Sequence, residues 1–443
     1  MNTFFLKYQV YIALFISVFA YLMFGYYLDR EQFYLLLFLF TLAFFGSKIL
    51  WKSKIHHKTL FKIGLLFRLL FLFSTPALSQ DFYRFLWDGN AILASINPFQ
   101  YKPNEIISTI ATFPNANYLY QKMGSLSAAH FSNYPPINQL FFTIAALIGK
   151  KSILFSTMML RIIIILADVG IYFYGKKLLQ HFNQNPKNIF LYFLNPLVIL
   201  ELSGNLHFEG VMWCFFVIGL CFLIKNKLFF AAFFVAIAIA TKLLPLLLLP
   251  LFFKYFGLKK SLLFYGLILV LNFLFFFPFS TSMLLTNYVE TVSLWFINFE
   301  FNASIYYLIR QVGYTINGYN IIQTVGKFTP IISILIILLF AFFKKNASLE
   351  NIIINGLMVL TLYFFIATTV HPWYIINLVL ISVFTKYKFP TIWSFGIILS
   401  YYPYSILPFK ENYFFIFAEY ALVYFYFFYE IRKNSQPNFS AIK

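Results

Sequence analysis

The sequence predicts an all-α fold, a polytopic bundle of transmembrane helices. Of its 443 residues, 61% are hydrophobic and only 11% are charged, whereas a soluble domain is about 45–50% apolar and about 25% charged. The apolar residues come in long runs rather than in the short alternating segments of a membrane barrel. These proportions exclude a soluble enzyme, a disordered chain and a nucleic-acid-binding domain.

Apolar runs of about 20 residues are candidate membrane segments. About 12–14 such segments are expected, and residues 1–443 are treated as one integral membrane domain. The run at 228–253 contains Lys242, Pro245 and Pro250, which predicts a broken or re-entrant helix that lines a polar cavity. The runs lie at 9–28, 33–50, 59–78, 135–149, 153–175, 188–203, 208–224, 228–253, 261–280, 328–343, 351–369, 373–385, 390–407 and 412–429.

The short loops between these runs carry lysines, and such loops collect on the cytoplasmic side of a membrane. This explains the net charge of +19 without nucleic acid as a partner. The same orientation leaves two long segments outside, at 79–134 and 281–325, and the first is expected to carry helices that lie flat in the interface. Two lysine-rich loops break the alternation, so either 135–149 or 188–203 is expected to be a half-span or re-entrant segment.

The densest polar cluster follows the third apolar run. Only four aspartates occur in the chain, and Asp81 and Asp88 both stand in this cluster. On a helix, Asp81, Arg84 and Asp88 share one face because they are three and four residues apart. A carboxylate with apolar walls at a membrane exit can act as general base for a substrate hydroxyl, and the structural alternative is a salt-bridged helix end. The cluster reads Ser79-Gln80-Asp81-Phe82-Tyr83-Arg84-Phe85-Leu86-Trp87-Asp88-Gly89.

Further short motifs follow this cluster, and together with it they cover about 70–375 of the chain. They are Asn97-Pro98-Phe99-Gln100-Tyr101, Tyr134-Pro135-Pro136, Asn195-Pro196, Asn205-Leu206-His207-Phe208-Glu209, Lys242-Leu243-Leu244-Pro245, Phe301-Asn302-Ala303-Ser304 and His371-Pro372-Trp373-Tyr374. With them the sequence resembles bacterial GT-C-fold glycosyltransferases, which use polyprenyl-phosphate-linked sugars and many of which are labelled mannosyltransferases. A looser similarity extends to the mannosyltransferase of GPI-anchor assembly. The chain departs from the pattern at Glu209, where the family often has Asp, and at Asn90, where a basic residue is common.

The resemblance implies a GT-C-type membrane glycosyltransferase with a defined reaction. A sugar, with mannose favoured, would pass with inversion from a polyprenyl-phosphate donor to an extracytoplasmic glycan, lipid or protein acceptor, as in the assembly of a cell-envelope glycan. The family also implies an external acidic residue as catalytic base, which by position is Asp81, with Asp88 as a substrate-orienting carboxylate. A multi-pass protein of the bacterial inner (plasma) membrane, with its active site facing the periplasm, is therefore expected.

The other candidate substrate-binding residues are polar side chains predicted on the same side as Asp81. Lys242 is expected to neutralise the departing phosphate, because an intramembrane charge costs roughly 3 kcal/mol or more; the alternative is a lysine that reaches out from a helix end. Arg84 is a second cation, unless it only pairs with Asp88. The remaining candidates, each with a structural alternative as a helix entry, hydrated turn or interfacial side chain, are Tyr134, Asn205, His207, Glu209 and His371.

Two further polar groups are interpreted from their spacing. Asp81, His207 and Glu209 could together hold a divalent ion, but their spacing carries no metal signature, and no metal or other cofactor is expected. Arg161 and Asp168 lie seven residues apart in one apolar run and are predicted to form a structural pair within the membrane.

A transporter or flippase for a lipid-linked saccharide is the alternative function. Such a protein needs no catalytic base, and it predicts intramembrane charges along a path and repeat symmetry between two halves. The sequence has no evident repeat, and its polar residues concentrate on one predicted side of the membrane. A scaffold without chemistry leaves the Asp81 cluster unexplained, so glycosyl transfer is the favoured function.

Overall fold

The computed structural model describes residues 2–435, which are almost wholly helical; residues 1 and 436–443 lie outside the described residues. The first ten helices are α1 Asn2–Tyr26, α2 Phe33–Lys52, α3 His57–Leu69, α4 Asp81–Leu93, α5 Pro103–Ile106, α6 Ala116–Ala128, α7 Pro136–Gly149, α8 Ile153–His181, α9 Phe190–Phe193 and α10 Pro196–Val198. The next ten are α11 Glu209–Ile224, α12 Leu228–Thr241, α13 Phe253–Phe276, α14 Leu284–Ile297, α15 Ile305–Asn317, α16 Ile322–Phe343, α17 Leu349–Ile366, α18 Pro372–Val383, α19 Phe389–Gly396 and α20 Tyr413–Ser435.

Long apolar helices dominate the described chain. Within residues 2–435, seven helices are long and apolar enough to cross a membrane, or eight if a pair bent by 110° at 205–208 is one span. The predicted runs that contain α7, α12 and α18 form shorter apolar helices. The fold is thus the predicted polytopic bundle, and the chain is an integral membrane protein. The seven spans are Tyr8–Tyr26, Phe33–Lys52, Ile153–His181, Leu244–Phe279, Ile322–Phe343, Leu349–Ile366 and Tyr413–Asn434.

The two ends of the bundle differ in their polar residues. Arg30 precedes α2 and lies close enough to Asp81 to act on its charge. The 20 residues of α2 extend about 30 Å, the thickness of a bilayer core. We call the end that carries Asp81 the site end and the end where α2 stops at Lys52 the lysine end. At the lysine end, Lys187 Nζ donates a hydrogen bond to the carbonyl of Ser53 at 2.6 Å.

Helix α7 is the segment that does not cross. Its 14 residues extend only about 21 Å. Asn138, near its start, lines one cavity together with Asp81. Just after its end, the carbonyl of Lys151 accepts a hydrogen bond from Asn115 Nδ2 at 2.8 Å. Because Asn115 belongs to the long segment at 79–134, both ends of α7 stay at the site end, which accounts for the broken alternation of lysine-rich loops.

The run at 228–253 is broken at Lys242, as its charge and prolines predict. Helix α12 ends at Thr241, Lys242 is extended with φ −148° and ψ 142°, and a 3₁₀ segment follows over Leu244–Phe252. A helix end leaves carbonyl groups without intrahelical partners. Asn138 Nδ2 satisfies one of them, because it donates to the carbonyl of Thr241 at 2.8 Å. The break places Lys242 at the site end.

The intramembrane ion pair is not the predicted one. Asp168 pairs with Arg68 of α3, at 2.7 Å between Nε and Oδ2, and neither side chain is exposed. Arg161 instead donates to the carbonyl oxygens of Ser203 at 2.5 Å and Leu72 at 3.0 Å. The prediction that Arg161 and Asp168 form a pair is wrong because seven residues of helix separate them by about 10.5 Å along the axis.

The segment at 79–134 contains α4, α5 and α6, and the segment at 281–325 contains α14, α15 and the start of α16. Helix α4 packs closely on α7 at Gly89. A Cβ atom at Gly89 would lie 2.3 Å from the carbonyl oxygen of Phe142, so only glycine fits there. This contact sets the position of α4, and therefore of Asp81 at its first turn.

Candidate active site

A cavity of about 320 Å³ opens at the site end and contains several of the predicted residues. Its polar lining includes Asp81, Asn133, Asn138, His207, Glu209, Lys242 and Asn377. Aromatic side chains form much of the remaining wall, among them Tyr134, Phe208, Tyr363, Phe364, Trp373 and Tyr374. The cavity thus combines convergent charged groups with apolar walls, the usual composition of a ligand-binding site.

Asp81 is the first residue of α4 and reaches the cavity from the N-terminal end of that helix. Its carboxylate makes no side-chain hydrogen bond or ion pair within residues 2–435. Desolvation raises the pKa of Asp81 above its ordinary value, while the positive charges of Lys242 and Arg30 oppose the shift and Glu209 adds to it. An unengaged carboxylate with a raised pKa is suited to accept a proton.

Lys242 and Glu209 form an ion pair in the cavity wall. Glu209 is the first residue of α11, and its Oε1 accepts the hydrogen bond from Lys242 Nζ. Its other oxygen, Oε2, is buried and has no hydrogen-bond partner in the described part of the chain. Lysine has three N–H donors, so both members of the pair keep capacity for a bound ligand.

Four rings form a column that begins in the cavity wall with His207 and Trp373 and continues behind it with His371 and Phe301. The centroid distances are 3.8 Å between His207 and Trp373, 4.3 Å between Trp373 and His371, and 4.9 Å between His371 and Phe301. Both faces of Trp373 are therefore covered by imidazoles, which prevents that ring from stacking on a sugar. Burial, with the positive charges of Arg30 and Lys242, lowers the pKa of His371 to about 3, so this ring is neutral near pH 7.

A strained backbone turn directs His207 toward the cavity. Leu206 has φ +66°, a left-handed conformation that costs a non-glycine residue roughly 1–2 kcal/mol. Its side chain is fully buried, so packing holds it in place. Such strain concentrates at functional sites, and the sequence gives no signal for it, because Leu has no preference for this conformation.

Three predicted site residues, Arg84, Asp88 and Asn205, bind neighbouring side chains and backbone groups and do not line the cavity. Arg84 Nε binds Asp88 Oδ1 at 2.6 Å, and Arg84 Nη1 donates to the carbonyl of Ser127 at 2.6 Å. The other oxygen of Asp88 accepts from the Ser132 hydroxyl at 2.6 Å. Asn205 accepts from the amide of Leu78 at 3.2 Å and donates to Glu201 Oε2 at 3.1 Å. These contacts hold the chain around Tyr134 and His207 in position.

Arg30 is a site cation that the sequence alone does not single out. Its guanidinium carbon lies 3.4 Å from the ring centroid of Tyr404. Its charge acts on both Asp81 and His371. The only signal was its position in a short loop predicted on the side of Asp81, since no motif contains it.

Within residues 2–435, no group of three or more His, Cys, Asp or Glu side chains has the arrangement of a metal site. His207 Nε2 and Glu201 Oε2 are 3.6 Å apart, and Glu209 is already engaged by Lys242. Lys242 supplies a positive charge to the cavity lining.

Comparison with known proteins gives the family. The profile described as "Alpha-(1->6)-mannopyranosyltransferase, N-terminal domain", of the MptA/B family, matches residues 13–256. The chain belongs to this family. The membership confirms the resemblance to mannosyltransferase-like glycosyltransferases, and the matched region of this MptA/B-family protein includes Asp81, Tyr134, His207, Glu209 and Lys242.

One relative of this MptA/B-family protein is alpha-(1->6)-mannopyranosyltransferase A of Mycobacterium tuberculosis (strain ATCC 25618 / H37Rv). The two are 23% identical over 180 residues, which cover 40% of this chain and 33% of the relative. The chain thus matches a third of the length of that relative.

Proposed function

We propose that the protein is a membrane glycosyltransferase that transfers mannose from a polyprenyl-phosphate donor to an extracytoplasmic acceptor, with Asp81 as general base. The observation that carries the proposal is the unengaged Asp81 carboxylate in a cavity that also holds Lys242. Family membership supports mannose as the sugar. The alpha-(1->6)-mannopyranosyl transfer in the name of the relative supports a glycan as the acceptor.

The reaction follows from this arrangement. The acceptor hydroxyl oxygen attacks the anomeric carbon while the bond from that carbon to the phosphate oxygen breaks. Asp81 takes the hydroxyl proton, and the electron pair of the broken bond leaves on the lipid-linked phosphate. Attack from the face opposite the phosphate inverts the anomeric centre. General-base assistance contributes about 10²–10⁴-fold to the rate.

Side-chain cations stabilise the leaving phosphate in this proposal. Lys242 lines the cavity, and Arg30 acts on Asp81 from the loop before α2. Fixed positive charges in a water-poor site stabilise developing negative charge without reorganisation. We therefore expect no metal or other cofactor, and activity that persists in excess EDTA. Loss of activity in EDTA that Mg²⁺ or Mn²⁺ restores would contradict this part.

The orientation of the site supports a periplasmic reaction. The lysine end, opposite the cavity, carries the charges that mark a cytoplasmic face. The aromatic wall of the cavity suits the apolar chain of a polyprenyl donor. We accordingly place the protein in a bacterial inner membrane, with the cavity facing the periplasm and a cell-envelope acceptor.

The test is turnover of a radiolabelled polyprenyl-phosphate mannose by purified protein in nanodiscs, with an α-mannoside as acceptor. Asp81→Asn is nearly isosteric but cannot accept the proton, so we expect at least a 10²-fold loss of transfer. Asp29→Asn is the matched control, since Asp29 is exposed in a loop at the same end. A fully active Asp81→Asn protein would refute the assignment of the base. Movement of the intact donor across the bilayer without sugar release would instead establish the transporter function.

A further inference from the structure

A second cavity lies at the lysine end, away from the candidate active site. Its volume is about 210 Å³, and it lies between the last turn of α2, helix α9 and the start of α19. Asp81, His207 and Lys242 all line the other cavity. The length of α2, about 30 Å, separates the two, so one ligand headgroup cannot occupy both.

The lining of this second cavity is amphipathic. Lys48 and Lys388 are its charged members, and it contains no carboxylate. The apolar lining consists of Phe44, Trp51, Phe190, Leu191, Leu194 and Ile392. A small soluble anion gains nothing from six apolar side chains, and an apolar chain alone leaves the exposed Lys48 ammonium without a counter-charge. The lining therefore fits a molecule with an anionic group joined to an apolar chain.

The two ammonium groups keep donors for such a ligand. Lys388 Nζ donates to the carbonyls of Ser382 and Thr385, each at 3.0 Å, and one of its three N–H groups is left over. Lys48 Nζ makes no hydrogen bond or ion pair within the described residues, and its side chain is exposed. The nearby Glu430 accepts from the backbone amides of Lys388 and Phe389 at 2.8 Å and 3.0 Å and does not line the cavity.

The position of the cavity in the membrane indicates that the ligand is a membrane lipid and not a soluble anion. Lys48 lies four residues before the end of the α2 span, and Trp51 lies one residue before it. Tryptophan is enriched at the level of the lipid headgroups, and lysine near a span end extends its ammonium to that level. Basic pockets between transmembrane helices on the cytoplasmic side bind anionic lipid headgroups. We propose that the cavity lined by Lys48 and Lys388 is a binding site for an anionic phospholipid of the cytoplasmic leaflet.

The experiment measures lipid retention by the purified full-length protein with native mass spectrometry. The probes are phosphatidylglycerol and phosphatidylcholine with identical acyl chains. We expect a preference for phosphatidylglycerol, and each lysine removed should weaken its binding about fivefold. The matched control is Lys54→Gln/Lys58→Gln, which removes two exposed charges from the same end of the bundle but none from the cavity.

Two variants keep the test decisive. Lys388→Gln also removes the hydrogen bonds to the carbonyls of Ser382 and Thr385, which changes the local structure as well as the charge. Lys48→Gln removes no hydrogen bond or ion pair within the described residues, so it tests the charge alone. Retention by Lys48→Gln equal to that of the control variant would overturn the proposal, as would equal retention of phosphatidylcholine. Displacement of bound lipid by inorganic phosphate would also overturn it, because the site would then be selective for a free anion. None of these outcomes depends on the proposed transferase activity.

Discussion

Substitutions in the ion pair between Lys242 and Glu209 can distinguish an effect on stability from an effect on catalysis. Lys242 is 24% exposed and Glu209 is 2% exposed. Loss of one partner of a buried pair costs about 3–5 kcal/mol, and the partial exposure of Lys242 reduces this to about 2–3 kcal/mol. We therefore expect Lys242→Gln and Glu209→Gln each to lower the free energy of unfolding by about 2–3 kcal/mol.

The double variant Lys242→Gln/Glu209→Gln leaves neither member of this ion pair without its counter-charge. Its free energy of unfolding should therefore return to within about 1 kcal/mol of the parent protein. Its turnover should not return, because the leaving phosphate still lacks the Lys242 ammonium. Removal of one preorganised donor to a developing negative charge lowers kcat by about 10²–10³-fold, and we expect a loss of this size.

Stability is measured by denaturant unfolding in mixed micelles, and turnover by release of polyprenyl phosphate under saturating donor. Lys102→Gln is the control, because Lys102 pairs at 3.6 Å with Glu290, which is 51% exposed, and its removal should change stability by less than about 1 kcal/mol. A double variant with the turnover of the parent protein would refute the reasoning. Lys242 would then serve only to neutralise Glu209.

Three further predictions concern the pH profile and the packing. In the proposed mechanism the ionised form of Asp81 is the base, and its pKa is raised, so kcat/KM should fall with decreasing pH at a higher pH than for an ordinary aspartate. Asp168→Asn leaves the fully buried guanidinium of Arg68 without its counter-charge, so the free energy of unfolding should drop by about 3–5 kcal/mol, as measured by denaturant unfolding. Gly89→Ala places a Cβ 2.3 Å from the Phe142 carbonyl oxygen. It should cost about 1–3 kcal/mol and reduce turnover, because α4 carries Asp81.

Each of these three predictions has a control in the same chain. Asp81→Glu moves the carboxylate at this position. If the acidic limb of the kcat/KM profile stays at the same pH in this variant, the titrating group is not residue 81. Asp29→Asn removes an exposed aspartate and should leave stability within about 0.5 kcal/mol. Gly266→Ala adds a Cβ with no atom within 4 Å, so turnover should be unchanged. Equal effects of Gly89→Ala and Gly266→Ala on stability and turnover would contradict the close packing of α4 on α7 as the cause.

The sequence predicts those parts of the site that depend on rare residues in apolar surroundings. Lys242 interrupts a long apolar run, and Asp81, His207 and Glu209 lie at or near the ends of such runs. Polar residues in these positions are expected to face a shared cavity rather than lipid. The fold class follows from the same runs. The break at Lys242 is predictable because charge and proline coincide there.

The remaining parts depend on which side chains meet across helices. Arg68 and Arg161 are equally plausible partners for Asp168 by composition, and only the packing of α3 against α8 selects Arg68. Arg84 and Asp88 share the motif of Asp81, yet they do not line the cavity. Arg84 instead donates to the carbonyls of Ser127 and His130, and Asp88 accepts from the Ser132 hydroxyl. Arg30 lies about 50 residues before Asp81 and shares no motif with it, so pattern alone cannot join them.

The four aspartates give an independent argument for the site. Asp29 is exposed to solvent, Asp88 is paired with Arg84, and Asp168 is paired with Arg68. Asp81 has neither full exposure nor a partner within the described residues. A desolvated carboxylate without a partner is destabilising, and a fold that pairs two other aspartates has the means to pair this one. The unpaired state of Asp81 therefore supports the proposed role, since a carboxylate already paired with a cation is a weaker acceptor for the proton of a bound substrate.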